Sequence, residues 1–515
     1  MAKNRTKQLN ALTVFTGFGL VLFLCAYPYF LKDHYFTMTR AKALFFYGIT
    51  LFFAVGCLIA FFVNRKRTEM RLLRKNPTEL FLAIFMASSV VSWVAAVSPK
   101  DSLVGAQGRY MGLLTFLFIG MAYLCVSRFC RMTTPTAVIF GVSVIGMCLI
   151  ALLQFGGLNP LHLYDRTKDT VKSSFMALLG NKDVYYSYLA LAVPFSMYLS
   201  FTAPSSREKI FWNAVSFMGF TSIFACRSEG ALLVIAVVFL ILYFTKAGEK
   251  KGFLTFLQNV TLLFAAAFVI WCLKHRNAPL AVTEARVFDL LIHPLLAAAV
   301  ILICAVLYVA VWKGVAAGSF FRVMKIAAAV LTGIAVCGAI GSFVFFTFID
   351  KETDIGALKG ILRYNNGWGS SRGFVWIRMT RLYFRKFTLL QKLVGSGQET
   401  VGMMMQQYFS TDTKRWGKPL FDNAHNELIQ YLITQGLIGL LSYLFFVGNA
   451  VRSGFREGGR YQKAASLACV CYLAQSVLNI SQALTTPLFF VFLALTQTRE
   501  LIPAKGNTPI DTVPQ

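Results

Sequence analysis

Residues 41–78 read AKALFFYGITLFFAVGCLIAFFVNRKRTEMRLLRKNPT. The first part, 41–63, is an apolar run. The second carries Arg65, Lys66, Arg67, Arg71, Arg74 and Lys75 within a few turns. A hydrocarbon core about 30 Å thick needs about 20 consecutive apolar residues in a helix, so 41–63 predicts a membrane span. Cytoplasmic flanks of such spans collect Lys and Arg, which places 64–78 on the inside. One span and one inside loop then set the alternation for the rest of the chain.

The composition says the same for the whole chain. Of 515 residues, 57% are hydrophobic and 14% charged, with 49 Phe and 20 Tyr. An ordinary soluble domain is about 45–50% apolar and about 25% charged. So little charge cannot cover a water-facing surface, which excludes a soluble enzyme, a disordered chain and a disulfide-rich secreted scaffold. Lys+Arg is 50 against 22 Asp+Glu, a net charge of +28. In a soluble protein that excess points to nucleic acid. In a membrane protein it is first a topology signal.

Apolar runs near 11–31, 41–63, 79–97, 112–129, 135–155, 184–202, 210–226, 229–245, 253–273, 293–313, 323–349, 426–448, 464–480 and 483–498 predict an all-α polytopic membrane protein of about 12–14 transmembrane helices. The basic loops 127–136, 202–210, 245–252, 312–325 and 449–463 then fall inside, as do both termini. The expected organisation is about eleven N-terminal spans over 1–349, a long extracytoplasmic loop over 350–425, C-terminal spans over 426–498 and a cytoplasmic tail over 499–515. Residues 374–387 (FVWIRMTRLYFRKF) mix aromatics with Arg378, Arg381, Arg385 and Lys386, the pattern of a basic amphipathic helix in the membrane interface. The apolar run after MAKNRTKQLN lacks a small-x-small cleavage site and reads as a retained first helix. The eleven cysteines lie in or beside apolar runs, with no histidine grouping, and predict neither a disulfide framework nor a metal site.

Orientation does not explain the arginines on the outer side. Arg109 lies in GAQGRYMGLLT, Arg227 in CRSEGALL and Arg372 in GSSRGFVW. Arginine at such places is costly unless partnered, and its planar fork binds phosphate in bidentate fashion. Together they point to an anionic, phosphate-bearing substrate carried on a lipid. For each alone the plain alternative is a salt bridge, Arg227 with Glu229 or Arg109 with Asp101. His425 lies in FDNAHNELIQYLITQGLIGLL, at the mouth of a span and among Asp422, Asn423, Asn426 and Glu427. A histidine there suits a general base, or a capping and packing role. Gly395 and Gly397 in LVGSGQET suit a tight turn or a backbone anion nest. No Walker loop, dinucleotide fingerprint or HExxH motif is present.

The block from Arg372 to Gly439 resembles the signature region of the O-antigen ligase and O-antigen polymerase superfamily. Its hallmark is a long extracytoplasmic loop ending in A-H-N, then a span with G-x-x-G, matched by Ala424, His425, Asn426, Gly436 and Gly439. CRSEGALL resembles the family's S-R-G-A segment, with Ser228 and Glu229 between the arginine and Gly230. GRYMGLLT resembles R-x-x-G-L-(L/F)-T, and LLGNKDVYYSYLAL resembles G-N-x-N-x-x-x-x-Y-L with Asp183 in place of the second Asn.

The resemblance implies an inverting, metal-independent membrane glycosyltransferase of the GT-C-like type, without cofactor, in a bacterial plasma membrane. Its donor would be a glycan on undecaprenyl diphosphate, and its acceptor a glycan, lipid-borne sugar or protein hydroxyl, for cell-surface polysaccharide biosynthesis. His425 would be the catalytic base, and Arg372, Arg227 and Arg109 would hold the diphosphate. Asn181, Asn423, Asn426 and Glu427 would support the site, with Asn423 and Glu427 orienting His425. The competing readings are a lipid-linked oligosaccharide flippase, a protein O-oligosaccharyltransferase and a cell-shape peptidoglycan polymerase. A flippase predicts charge along a central cavity and two related halves, whereas charge inside these spans is scarce.

Overall fold

The computed structural model describes residues 13–32, 37–64, 76–105, 108–276, 286–314, 318–417 and 421–498. The basic stretch 65–75, parts of the 32–40 and 274–292 loops, and the 499–515 tail lie outside the described residues.

The described residues form helices joined by turns and loops, with no strand among them. We number the main helices α1 (Thr13–Tyr29), α2 (Met38–Asn64), α3 (Pro77–Val94), α4 (Leu113–Phe129), α5 (Thr134–Phe155), α6 (Lys182–Phe201), α7 (Ser206–Cys226), α8 (Glu229–Lys246), α9 (Lys250–His275), α10 (Pro294–Trp312), α11 (Gly318–Ile349), α12 (Trp368–Arg385), α13 (Val401–Trp416), α14 (Glu427–Thr434), α15 (Gly436–Glu457), α16 (Arg460–Ser476) and α17 (Thr486–Thr496). Among the described residues nine are long and apolar enough to cross a membrane: α2, α3, α5, α6, α8, α9, α10, α11 and α15. Shorter apolar helices are α1, α4 and α17. The chain is an all-α multi-pass membrane protein.

Local sequence explains the helix starts. Asn76, Ser205 and Asn426 each accept a hydrogen bond from the backbone N–H three residues on, as N-caps do, at 2.9, 3.3 and 3.0 Å. Asn181 caps α6 by accepting from the Asp183 N–H at 2.7 Å. Helix α6 is the centre of the bundle: 94% of its apolar stretch is buried, whereas α11 buries none. It packs against α7 and α16, while α3 packs against α15 and α9 against α10. A helix apolar all round and unburied by protein has only lipid to face.

The run expected as one span over 426–448 is two helices, broken at Gln435–Gly436. Gly436 has φ +69°, and a Cβ there would lie 2.3 Å from the Leu393 carbonyl oxygen. Gly395 faces it: a Cβ there would lie 2.2 Å from the Thr434 oxygen. The Ser396 and Gly397 N–H groups donate to Ile433 and Thr434 oxygens at 3.0 and 3.1 Å. Gly395 and Gly397 therefore form a tight turn locked into the helix break. The Ser396 and Gly397 amides are spent on it, so the anion-nest alternative does not apply.

Between α11 and α14 the chain is mostly helical and has its own small core, in which Phe374, Val375, Met379, Leu382, Met404 and Met405 are buried. Helix α12 is amphipathic as expected, with one correction. Arg378 turns inward, pairs with Asp412 at 3.2 Å and covers the Phe374 ring at 3.6 Å. Arg381, Arg385 and Lys386 stay exposed. The polar 479–482 stretch makes the turn of a helical hairpin between α16 and α17.

Candidate functional site

A cleft of about 320 Å³ opens where the α6 start, the α2 start, the 479–484 turn and the His425 loop meet. Asn181, Asp183, His425, Asn479 and Gln482 line it. Segments far apart in sequence thus supply one polar wall.

The His425 loop is pinned from both flanks. Asn423 Oδ1 accepts from the His425 N–H at 2.7 Å, and Gln430 Oε1 accepts from the Ala424 N–H at 3.0 Å. The Trp376 indole donates to the Ala424 carbonyl at 2.8 Å, tying α12 to this loop. Within it His425 takes a left-handed conformation, φ +47°. A non-glycine residue there costs about 1–3 kcal/mol and persists only where its surroundings impose it. The same holds at Tyr110, next to Arg109, at Arg227 and Glu399, and at Ser371, next to Arg372. Strain of this kind clusters at functional sites.

Neither His425 ring nitrogen has a hydrogen-bond partner among the described residues. Burial first, and then the positive charge of Arg372, push its pKa down to about 4, with Arg109 adding to the effect. The imidazole is neutral near pH 7 and free to accept a proton. Asn423 orients the backbone of His425 rather than its ring. Glu427, expected to orient the ring, instead accepts from Ser481 Oγ at 2.7 Å and the Tyr431 hydroxyl at 3.1 Å, joining the loop to the 477–485 turn. Asn426 caps α14.

The three outer arginines stand differently. Arg109, 7% exposed, pairs with Glu399 at 3.2 Å and with the Asp422 carboxylate, not with Asp101. Asp101 takes a hydrogen bond from Ser98 at 2.6 Å. The Arg109 carbonyl also accepts from the Ala483 N–H at 3.0 Å, so this residue joins the start of α4, the Glu399 turn, the His425 loop and the hairpin. Burial drives the Glu399 carboxyl up to about 7, Arg109 opposing it only in part. Burial also pushes Asp422 up, but Arg109 more than offsets this and leaves it below its ordinary value. Arg227 pairs with Asp289 at 3.1 Å rather than with Glu229, and Lys274 shares that carboxylate at 2.7 Å. Arg372 donates to the Gly369 carbonyl at 3.1 Å, while its Nε is buried without a partner. It has no carboxylate partner among the described residues. Regular helix begins at Arg372, after three left-handed residues, Gly369, Ser370 and Ser371. Its charge reaches both His425 and Tyr186.

Sequence reasoning missed Asn479. Its amide donates to the Asp183 carbonyl at 2.7 Å, Ser187 Oγ at 2.6 Å and Gln475 Oε1 at 3.1 Å. Ser228 Oγ donates to Asp183 Oδ1 at 2.8 Å, which ties the Arg227 turn to the same wall. The available signal was the short run Asn479–Gln482 between two apolar stretches, three of its four residues polar, which as sequence suits a tight hairpin or one broken helix. Glu399 was likewise visible beside Gly395 and Gly397 but passed over. No protein-family model matches the chain, and no curated protein matches it.

Proposed function

We propose that this chain is a membrane glycosyltransferase of the O-antigen ligase and polymerase type. It moves a glycan from undecaprenyl diphosphate to an acceptor hydroxyl at the outer face of a bacterial plasma membrane. The observation that carries this reading is the pairing of a neutral His425, held in a strained loop on a polar cleft, with Arg372, a cation without a carboxylate among the described residues. The outward orientation rests on the basic 65–75 stretch being cytoplasmic.

In this reading His425 takes the acceptor hydroxyl proton as the oxygen bonds to the anomeric carbon. The bond from that carbon to the diphosphate oxygen breaks, and its electron pair leaves with undecaprenyl diphosphate. The anomeric centre inverts. Arg372 stabilises the charge that develops on the leaving group, the task for which a fixed donor serves best. Arg227, the expected second donor, is held by Asp289 and would have to leave that carboxylate to take part. Arg109, saturated by two carboxylates, enters as a positioning residue. Asn181 and Asp183 offer amide and carboxylate groups to sugar hydroxyls, on a wall that Asn479 ties together.

The test is transfer by the purified chain in liposomes, with an undecaprenyl-diphosphate glycan and a glycan acceptor. Acceptor-dependent release of undecaprenyl diphosphate supports the reading. Glycolipid crossing the bilayer without any bond cleavage would establish the flippase instead.

A further inference from the structure

A second cavity lies away from the cleft, among α2, α3 and α4, with a volume of about 510 Å³. Its walls are mostly apolar, and several of the side chains are small or flexible: Ala54 and Cys57 on α2, Ala83 and Met86 on α3, Gly120 and Met121 on α4. It opens sideways past Leu58 and Leu117, which are 48% and 43% exposed on the apolar outer surface of the bundle. Methionine packs adaptably around irregular apolar shapes. One end of the groove is not apolar: Glu79 and Arg128 pair there at 2.5 Å, their side chains 9% and 5% exposed. Leu113 begins α4 beside Arg109 and the candidate site, and Arg128 lies roughly 22 Å farther along that helix at the α-helical rise. The charged end of the groove is thus at the opposite end of the bundle from His425.

A buried ion pair carries a desolvation cost, and this one stands at the helix ends expected to be cytoplasmic, the depth at which lipid headgroups lie. The arrangement matches an amphiphile with a long apolar chain and a charged head. Bilayer continuity supplies the chain, because the groove opens directly onto lipid-facing residues. The pair presents both signs side by side, which suits a head that itself carries both. We propose that the groove holds one acyl chain of a zwitterionic glycerophospholipid, its phosphate at Arg128 and its ammonium at Glu79.

The test uses the full chain in vesicles of equal phosphatidylethanolamine and phosphatidylglycerol, extracted in mild detergent and weighed by native mass spectrometry. One retained phosphatidylethanolamine per chain is expected, and no such excess of phosphatidylglycerol. A Cβ on Gly120 would lie 3.0 Å from the flexible Met86 sulfur, so Gly120→Leu fills the groove and should cut retention at least tenfold. Leu331→Trp, on unburied α11, should leave retention unchanged. A second measurement needs no variant: phosphatidylethanolamine with a diazirine on its acyl chain should label wild-type peptides of α3 and α4 well above those of α11. Even labelling over all lipid-facing helices, equal retention of both lipids, or unchanged retention in Gly120→Leu would overturn the proposal.

Discussion

The positive charge of Arg372 acts on the imidazole of His425, and after burial it is the largest influence holding that ring neutral. The two residues are 53 positions apart, yet the Trp376 indole, bonded to the carbonyl just before His425, brings the start of α12 to the loop. A cation without a carboxylate among the described residues, acting on an unprotonated base, is the arrangement an anionic leaving group and a hydroxyl nucleophile require.

This pairing fixes the pH dependence of the proposed transfer. A pKa lowered from 6.5 to about 4 keeps the base form populated as pH falls, so kcat/KM should stay flat to about pH 5 and drop near 4. Arg372→Gln removes a cation, eases protonation of His425 and moves that acid limb upward, toward 6.5. A wild-type limb already at 6.5 would show that the ring is not held this way.

The Arg109 cluster predicts stability effects instead. Arg109→Met strands the buried Glu399 carboxylate, at a cost of about 3–5 kcal/mol, read as a lowered Tm in detergent. The native pKa of Glu399, raised by burial to about 7, lies above its unfolded value near 4.5. Its contribution to stability is therefore present below about pH 4.5 and lost as pH rises through 7. Glu399→Gln should flatten the Tm profile across that window, and an unchanged slope would contradict the assignment.

The glycine crossing is steric. Gly395→Ala meets a backbone oxygen at 2.2 Å and a left-handed φ of +84°, so it should lower Tm strongly or abolish folded expression. Gly314→Ala shares a φ of +83° but meets nothing within 4 Å among the described residues, and should cost only about 1 kcal/mol. Equal losses in the two variants would rule out the packing explanation.

Asn479→Ala tests the wall of the cleft. Loss of its hydrogen bonds to Asp183, Ser187 and Gln475 should cost about 1–3 kcal/mol of stability. For transfer it should raise KM for the glycan acceptor several-fold while kcat changes less, as steady-state kinetics would read. A change in kcat alone would place Asn479 outside acceptor binding.

Much of this architecture was legible from local pattern. Apolar length marked the helices, because each must satisfy its backbone within itself. His425 and Asn181 stood out because short motifs carried them. Partners were not legible. Arg109 reaches Glu399 and Asp422 across roughly 300 residues, and nothing local favours these over the nearby Asp101. Arg378 looked like one more basic residue on an interfacial face until Asp412 drew it inward. The left-handed conformations of His425 and Glu399 are not demanded by their residue types, and that of Arg227 comes from its place as the C-cap of α7. The break at Gly436 hid inside an apolar run, where a span with a glycine reads like any other span.

The most direct measurement is transfer by His425→Asn. Asparagine tolerates the left-handed backbone well, so the loop is kept while the base is lost. Transfer from an undecaprenyl-diphosphate glycan in liposomes should fall about 10²–10⁴-fold with Tm within a few degrees of wild type. Transfer at the wild-type rate by a folded His425→Asn protein would contradict the account.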